Sequence, residues 1–144
     1  VNAPDVMISS ACCPIESLAE YQDPNVVKVV RNQRRLAAYF SRAPIPWIRD
    51  EGSSDCSGMR WSDAYRHLGI YAYRVGYLTR FCELPPAPTE LTEKLEQLRA
   101  LWYGDAIMVC DAKEIPGPGV DTAQDLRRVV EYFESLPTQI DKND

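Results

Sequence analysis

Histidine occurs once in this chain, at His67. With no second imidazole and no Cys-x-x-Cys pair, the ligand spacing of a structural zinc site is missing. The five cysteines, Cys12, Cys13, Cys56, Cys82 and Cys110, are odd in number and poorly spaced for a disulfide framework. Cys12, Cys13 and Cys110 fall in apolar, strand-like runs, where a thiol behaves as a small hydrophobe. They read as reduced core cysteines of a cytoplasmic protein. No apolar run approaches the roughly 20 residues that span a bilayer, and no charged-then-apolar leader opens the chain, so neither a membrane span nor a signal peptide is expected. Basic residues are in the minority and the net charge is −5. A nucleic-acid surface would need a basic patch to neutralise phosphates, so no nucleic-acid partner is expected. An anionic substrate would have to be met by a local arginine or a metal. A Gly-rich phosphate loop, a Ser-His-Asp order and a cysteine nucleophile are also lacking.

What is present is the balance of a globular protein, 45% hydrophobic and 26% charged over 144 residues, long enough for a core without staples. One domain over 1–144 is expected, with residues 137–144 a frayed tail. Val6–Ala11, Val26–Val30 and Leu36–Ser41 read as strands, with turn chemistry at Asp23-Pro-Asn25 and a polar turn at Arg31–Arg34. Pro44-Ile-Pro-Trp47 stops regular structure, and Asp50–Gly58 reads as a loop. His67–Tyr73 is expected as a strand passing into a short helix around Val75–Phe81. A helix from Thr89 carries Leu91, Leu95, Leu98 and Trp102 on one stripe and ends at Gly104. Ile107–Ala112 is a further strand. Beyond the Pro116-Gly-Pro-Gly119 turn, Thr122 caps a last helix with Leu126, Val129, Val130 and Phe133 on one face. Strands alternating with helices predict an α/β layered domain.

Several residues carry candidate chemistry, each with a plainer alternative. Asp121 follows a tight turn and precedes a helix: it could ligate Mg²⁺, which takes one or two protein oxygens, or merely favour the positive end of the helix. Arg42 stands at a strand end before a proline-stiffened loop, either gripping a carboxylate or phosphate in a planar fork or lying in solvent. His67, Gly69 and Tyr71 share one strand face, with glycine leaving room for a ligand. A sole imidazole there serves either as a general base or as a satisfied structural residue. Glu96 and Gln97 interrupt the apolar stripe, either to meet sugar hydroxyls or as an exposed helical turn.

Five stretches carry a resemblance when taken in order. They are Asp23-Pro-Asn-Val-Val-Lys-Val-Val30, Tyr39-Phe-Ser-Arg-Ala-Pro-Ile-Pro-Trp47, Arg66-His-Leu-Gly-Ile-Tyr-Ala-Tyr-Arg74, Leu95-Glu-Gln-Leu-Arg-Ala-Leu-Trp-Tyr-Gly104 and Gly119-Val-Asp-Thr-Ala-Gln-Asp-Leu126. From about Asp5 to Val130 the chain resembles the C-terminal half of the 3-deoxy-manno-octulosonate (Kdo) cytidylyltransferases, the CMP-Kdo synthetases. The resemblance implies a Rossmann-like nucleotidyltransferase fold with a mixed sheet, lacking here its N-terminal nucleotide-binding half. The abrupt start at Val1 fits a chain whose upstream portion is missing. It further implies cytidylyl transfer from CTP to Kdo, giving CMP-Kdo and pyrophosphate for lipopolysaccharide, in a cytoplasmic homodimer. Asp121 would bind Mg²⁺ with an upstream aspartate, and Arg42, His67, Tyr71, Glu96 and Gln97 would line the Kdo pocket. Without the upstream nucleotide loop and metal motif, catalysis by these residues alone is not expected. Two other readings stay open: a non-catalytic sugar-binding or dimerisation module, and a cytidylyltransferase for another acidic sugar.

Overall fold

The computed structural model describes residues 6–48, 64–114 and 123–135. Two compact units divide the chain, Val1–Lys113 and Glu114–Asp144. The first holds the strands β1 (Val6–Pro14), β2 (Lys28–Arg31), β3 (Ala37–Ser41), β4 (Tyr65–Tyr73) and β5 (Ala106–Asp111). Its helices are α1 (Leu18–Gln22), α2 (Val75–Glu83), α3 (Pro88–Glu93) and α4 (Gln97–Trp102). In the second unit α5 spans Ala123–Ser135, where the apolar spacing placed a helix. Asp121, Thr122, the Asp50–Gly58 loop, the Pro116–Gly119 turn and the 137–144 tail lie outside the described residues. Among the described residues no helix is long and apolar enough to cross a membrane.

The sheet is mixed, in the order β3-β2-β4-β1-β5. β1 and β5 run parallel, while β4 lies antiparallel to both β1 and β2, and β2–β3 is an antiparallel hairpin. The β-branched and aromatic runs read from the sequence form these strands, with ends shifted by one to three residues. Ile8, Cys12, Val29, Phe40, Ile107 and Val109 meet Tyr77, Phe81, Leu95, Leu98 and Ala100 of the helical layer in one core. Burial raises the Cys12 thiol to about 11, so it packs as an inert hydrophobe. Cys12, Cys13, Cys82 and Cys110 are all free thiols.

Two local features depart from the sequence expectations, and both shape the site. The first is the helix from Thr89, which is broken. Lys94 adopts the left-handed region at φ 56° and ends α3, and the chain re-enters helix at Gln97. Glu90 receives the Ala87 backbone N–H at 3.0 Å and is forked by Arg99 at 2.8 and 2.5 Å. Nine residues of continuous helix would separate that pair by about 13 Å of rise, so the fork requires the break. Leu95 and Leu98 are then buried, whereas Leu91 and Trp102 are exposed. The single stripe does not exist. Gly104, at φ 82°, does end α4, as its sequence position suggested.

The second feature is a bulge in β4. Ser10 pairs with Tyr71 and Cys12 with His67, so β4 fits extra residues, Leu68–Ile70, opposite Ala11. Gly69 supplies φ +66° there, and a Cβ at this position would meet nothing within 4 Å. Its contribution is therefore backbone conformation. Gly69→Ala should destabilise the unit by about 1–2 kcal/mol, the usual penalty for a Cβ in the left-handed region. Urea unfolding of the variant checks this, and an unchanged midpoint would contradict it.

One helix was missed in the sequence reading. α1 has Ser17 as its cap, accepting the Glu20 N–H at 3.1 Å. The Ser17-Leu-Ala-Glu20 spacing was a readable signal.

Candidate functional site

A row of aromatic rings crosses the helix-covered side of the sheet. Phe40 on β3 meets His67 edge-on at 4.8 Å, His67 meets Tyr71 at 5.3 Å, and Tyr71 meets Tyr73 at 5.9 Å. Tyr73 continues to Phe81 of α2 at 6.1 Å. In a regular strand, residues four apart stand about 13 Å from each other. The bulge at Leu68–Ile70 shortens that span, which is how the His67 and Tyr71 rings come into contact.

His67 is held neutral. Burial lowers its pKa to about 4, and its Nε2 lies 2.7 Å from Ser10 Oγ. With that pKa and that partner it is a poor general base at neutral pH. Burial is also the main reason that Tyr71 and Tyr73 have raised pKa values, with smaller pushes from Tyr73 on Tyr71 and from the Glu96 charge on both. Both phenols keep their proton at neutral pH, as an unshifted tyrosine would, and Glu96 lies close enough to sense them.

Glu96 and Gln97 begin α4, where the break at Lys94 turns the chain. They differ sharply in exposure. Glu96 is open to solvent, while Gln97 is 6% exposed, contrary to the exposed-turn alternative for the pair. Among the described residues no hydrogen bond occupies the Gln97 amide, and it is not one of the buried unpartnered groups, so the amide of this otherwise buried side chain is open as a donor and acceptor for a ligand.

Arg42, at the end of β3, is only partly free. Its Nε donates to the Glu93 carbonyl at 2.8 Å and its Nη1 to the Pro24 carbonyl at 3.0 Å. Glu93 also accepts the Arg42 backbone N–H at 2.9 Å and the Ser41 hydroxyl at 2.7 Å. Nε and Nη1 of the guanidinium are thereby engaged, and Nη2 is the nitrogen left with no partner among the described residues. Behind it, the Lys28 ammonium is fully buried and donates to the carbonyls of Asp23, Val26 and Arg42 at 2.8, 2.5 and 2.6 Å.

The structure thus links Arg42 through Glu93 to the α3–α4 break that carries Glu96 and Gln97. It links Phe40, His67 and Tyr71 into the adjoining ring row. Asp121 is not among the described residues. Ser10, Phe40, Tyr73 and Lys28 were not singled out from the sequence. For Ser10 the available signal was a hydroxyl in an otherwise apolar strand.

A separate open cleft of about 580 Å³ is lined by Arg31, Arg35, Tyr65 and Asp111 among others, and shares no residue with the ring row. Its arginines are committed to structure. Arg31 pairs with Asp111, donates to the Val109 carbonyl at 2.9 Å and lies 4.2 Å over the Tyr65 ring. It reads as a seam between the β2–β3 hairpin and β5. Among the described residues no group of three or more His, Cys, Asp or Glu side chains gathers to hold a metal ion.

A family model described as cytidylyltransferase matches residues 2–115. The chain belongs to the cytidylyltransferase family. Among its cytidylyltransferase relatives, the 3-deoxy-manno-octulosonate cytidylyltransferase of Halorhodospira halophila is 49% identical over 133 residues, covering 92% of this chain and 52% of the relative. The protein of the same name from Alkalilimnicola ehrlichii is 53% identical over 127 residues, 87% of this chain and 49% of the relative. A solved structure of a CMP:2-keto-3-deoxy-manno-octonic acid synthetase complexed with CTP superposes with a TM-score of 0.76 at 38% identity. It covers 92% of this chain and 51% of that one. The chain spans about half the length of the relatives it matches. The resemblance drawn from the five sequence stretches is borne out, and the mixed sheet is that of a Rossmann-like nucleotidyltransferase.

Proposed function

We propose that this chain forms the sugar side of a CMP-Kdo synthetase, which transfers a cytidylyl group from CTP to Kdo and releases pyrophosphate in lipopolysaccharide synthesis. One observation carries this reading: an arginine with one nitrogen unengaged and an unbonded amide accompany a row of rings that includes a neutral imidazole and two phenols. Kdo is an acid rich in hydroxyls, and it needs these groups together. The unengaged Nη2 of Arg42 meets the sugar carboxylate. Glu96 accepts from hydroxyls, the Gln97 amide both donates and accepts, and Tyr71 donates. The names of the relatives support the same sugar.

In the reaction, the anomeric hydroxyl of Kdo attacks the α-phosphorus of CTP and pyrophosphate leaves. Such transfers depend on positioning and charge neutralisation more than on covalent work by the protein. The residues named here hold the acid, orient the attacking hydroxyl and keep water from it. Asp121 would hold Mg²⁺, which would supply charge neutralisation on the nucleotide; the metal is part of this proposal through Asp121 alone. A cytoplasmic homodimer belongs to the same reading. CTP turnover by these residues alone is not expected, because the family's nucleotide loop and partner aspartate do not occur in this sequence.

Calorimetric titration of Kdo into the chain tests the reading. Arg42→Ala should weaken Kdo binding by roughly 10–100-fold, the range for loss of a charge-assisted hydrogen bond. Arg42→Lys should recover only part of it, since an ammonium cannot bond the Glu93 and Pro24 carbonyls and the sugar in the fixed planar geometry of the guanidinium. Equal affinity in wild type and a folded Arg42→Ala variant would remove Arg42 from the sugar site.

A further inference from the structure

The Ser10–His67 contact fixes more than the place of a ring. Ser10 lies on β1, is 7% exposed, and its Oγ stands 2.7 Å from Nε2 of His67. Among the described residues this is the hydroxyl's one hydrogen bond. A serine hydroxyl has a single proton to place. If Nε2 carried a proton of its own, it would donate to Oγ, and the serine proton would be left buried without an acceptor. Buried donors are rarely left so. If Nε2 is unprotonated, the hydroxyl donates to it and both groups are satisfied. The neutral imidazole then carries its proton on Nδ1. In water the opposite tautomer of a neutral histidine predominates, so the protein has to impose this one.

We infer that Ser10 is a positioning residue that holds His67 in the Nδ1–H tautomer, so that the ring offers an uncharged N–H donor to an acceptor oxygen of the bound acidic sugar. The ligand half of this inference rests on the sugar-site reading above; the tautomer half stands on the hydroxyl geometry alone. The arrangement gives His67 a definite role beside Arg42. Arginine supplies the charge, and His67 supplies a directed donor that cannot act as a base, because Nδ1 is protonated and Nε2 is occupied. The flanking Phe40 and Tyr71 rings, at 4.8 and 5.3 Å, hold the imidazole plane. Burial keeps the imidazole from becoming a second cation.

The test uses the fact that His67 is the only histidine in the chain. In a nitrogen-15-labelled sample free of added histidines, long-range proton–nitrogen correlation shows a single imidazole pattern. At neutral pH the expected pattern is protonated Nδ1 and unprotonated Nε2. Ser10→Ala should revert to the Nε2–H pattern, and Ser10→Thr, which keeps the hydroxyl, should retain the native one. An Nε2–H pattern in the native chain would overturn the inference, as would a folded Ser10→Ala variant with the native pattern. If Ser10→Ala does not fold, the native and Ser10→Thr spectra decide. Adding Kdo separates the two halves. A shift of the Nδ1 resonance on saturation supports the donor role. An unmoved Nδ1 resonance removes that role and leaves the tautomer result intact.

Discussion

Replacing Lys28 by methionine is expected to lower the stability of the sheet unit by about 3–5 kcal/mol, the balance between three carbonyls left unpaired and the relief of no longer burying a charge. The ammonium is fully buried and has three N–H groups for three carbonyl acceptors, those of Asp23, Val26 and Arg42. A neutral amine has only two N–H groups, so the match requires the charged form, although burial lowers the Lys28 pKa. Methionine keeps the length of the stem and removes every donor. Each carbonyl left without a partner is expected to cost about 1–3 kcal/mol before water re-enters. The relief of no longer burying a charge offsets part of that sum. Urea unfolding followed by tryptophan fluorescence measures the loss, and a change below about 1 kcal/mol would contradict this role for Lys28. The Arg42 carbonyl is one of the three acceptors, so the same variant should also loosen the β3 end from which Arg42 projects.

The second large effect is in pH. His67 has its pKa lowered by burial from 6.5 to about 4. Between those values the unfolded chain binds the proton and the folded chain does not, so stability rises with pH across this window. The contribution is fully present above pH 6.5 and is lost as pH falls towards 4. It amounts to about 3 kcal/mol, since each pH unit between the two values is worth about 1.36 kcal/mol. Glu90 and Asp111 act lower down. Their pKa values are lowered chiefly by the hydrogen bonds from Arg99 and Arg31, so their support is lost only as pH falls below the ordinary carboxylate range. Unfolding free energies measured at intervals between pH 7 and 4 should slope downward, and a folded His67→Phe variant should flatten that slope. A wild-type profile that is level across the window would contradict the buried neutral imidazole.

The strands were legible because their β-branched and aromatic runs are local signals, bounded by proline, glycine and asparagine. The resemblance was legible because its motifs keep their order. What escaped the sequence is tertiary. The break at Lys94 places a lysine in a conformation that favours glycine, held by a fork between Glu90 and Arg99 that a helical stripe cannot reveal. The shared face of His67 and Tyr71 followed from strand alternation, but their contact depends on the bulge opposite Ala11. Gly69 was expected to leave room for a ligand, and its decisive contribution is a positive φ. Arg42 was expected to offer a planar fork, yet the Glu93 and Pro24 carbonyls occupy part of it, which no spacing argument could foresee.

Under this proposal the unit recognises Kdo through Nη2 of Arg42, the ring row and the start of α4. Calorimetric titration of the folded chain with Kdo, another acidic sugar and a neutral sugar tests it most directly. Saturable binding of Kdo at one site per chain is expected, with weaker binding of the other acid and none of the neutral sugar. No binding of Kdo by a folded chain, or tighter binding of either other sugar, would contradict it.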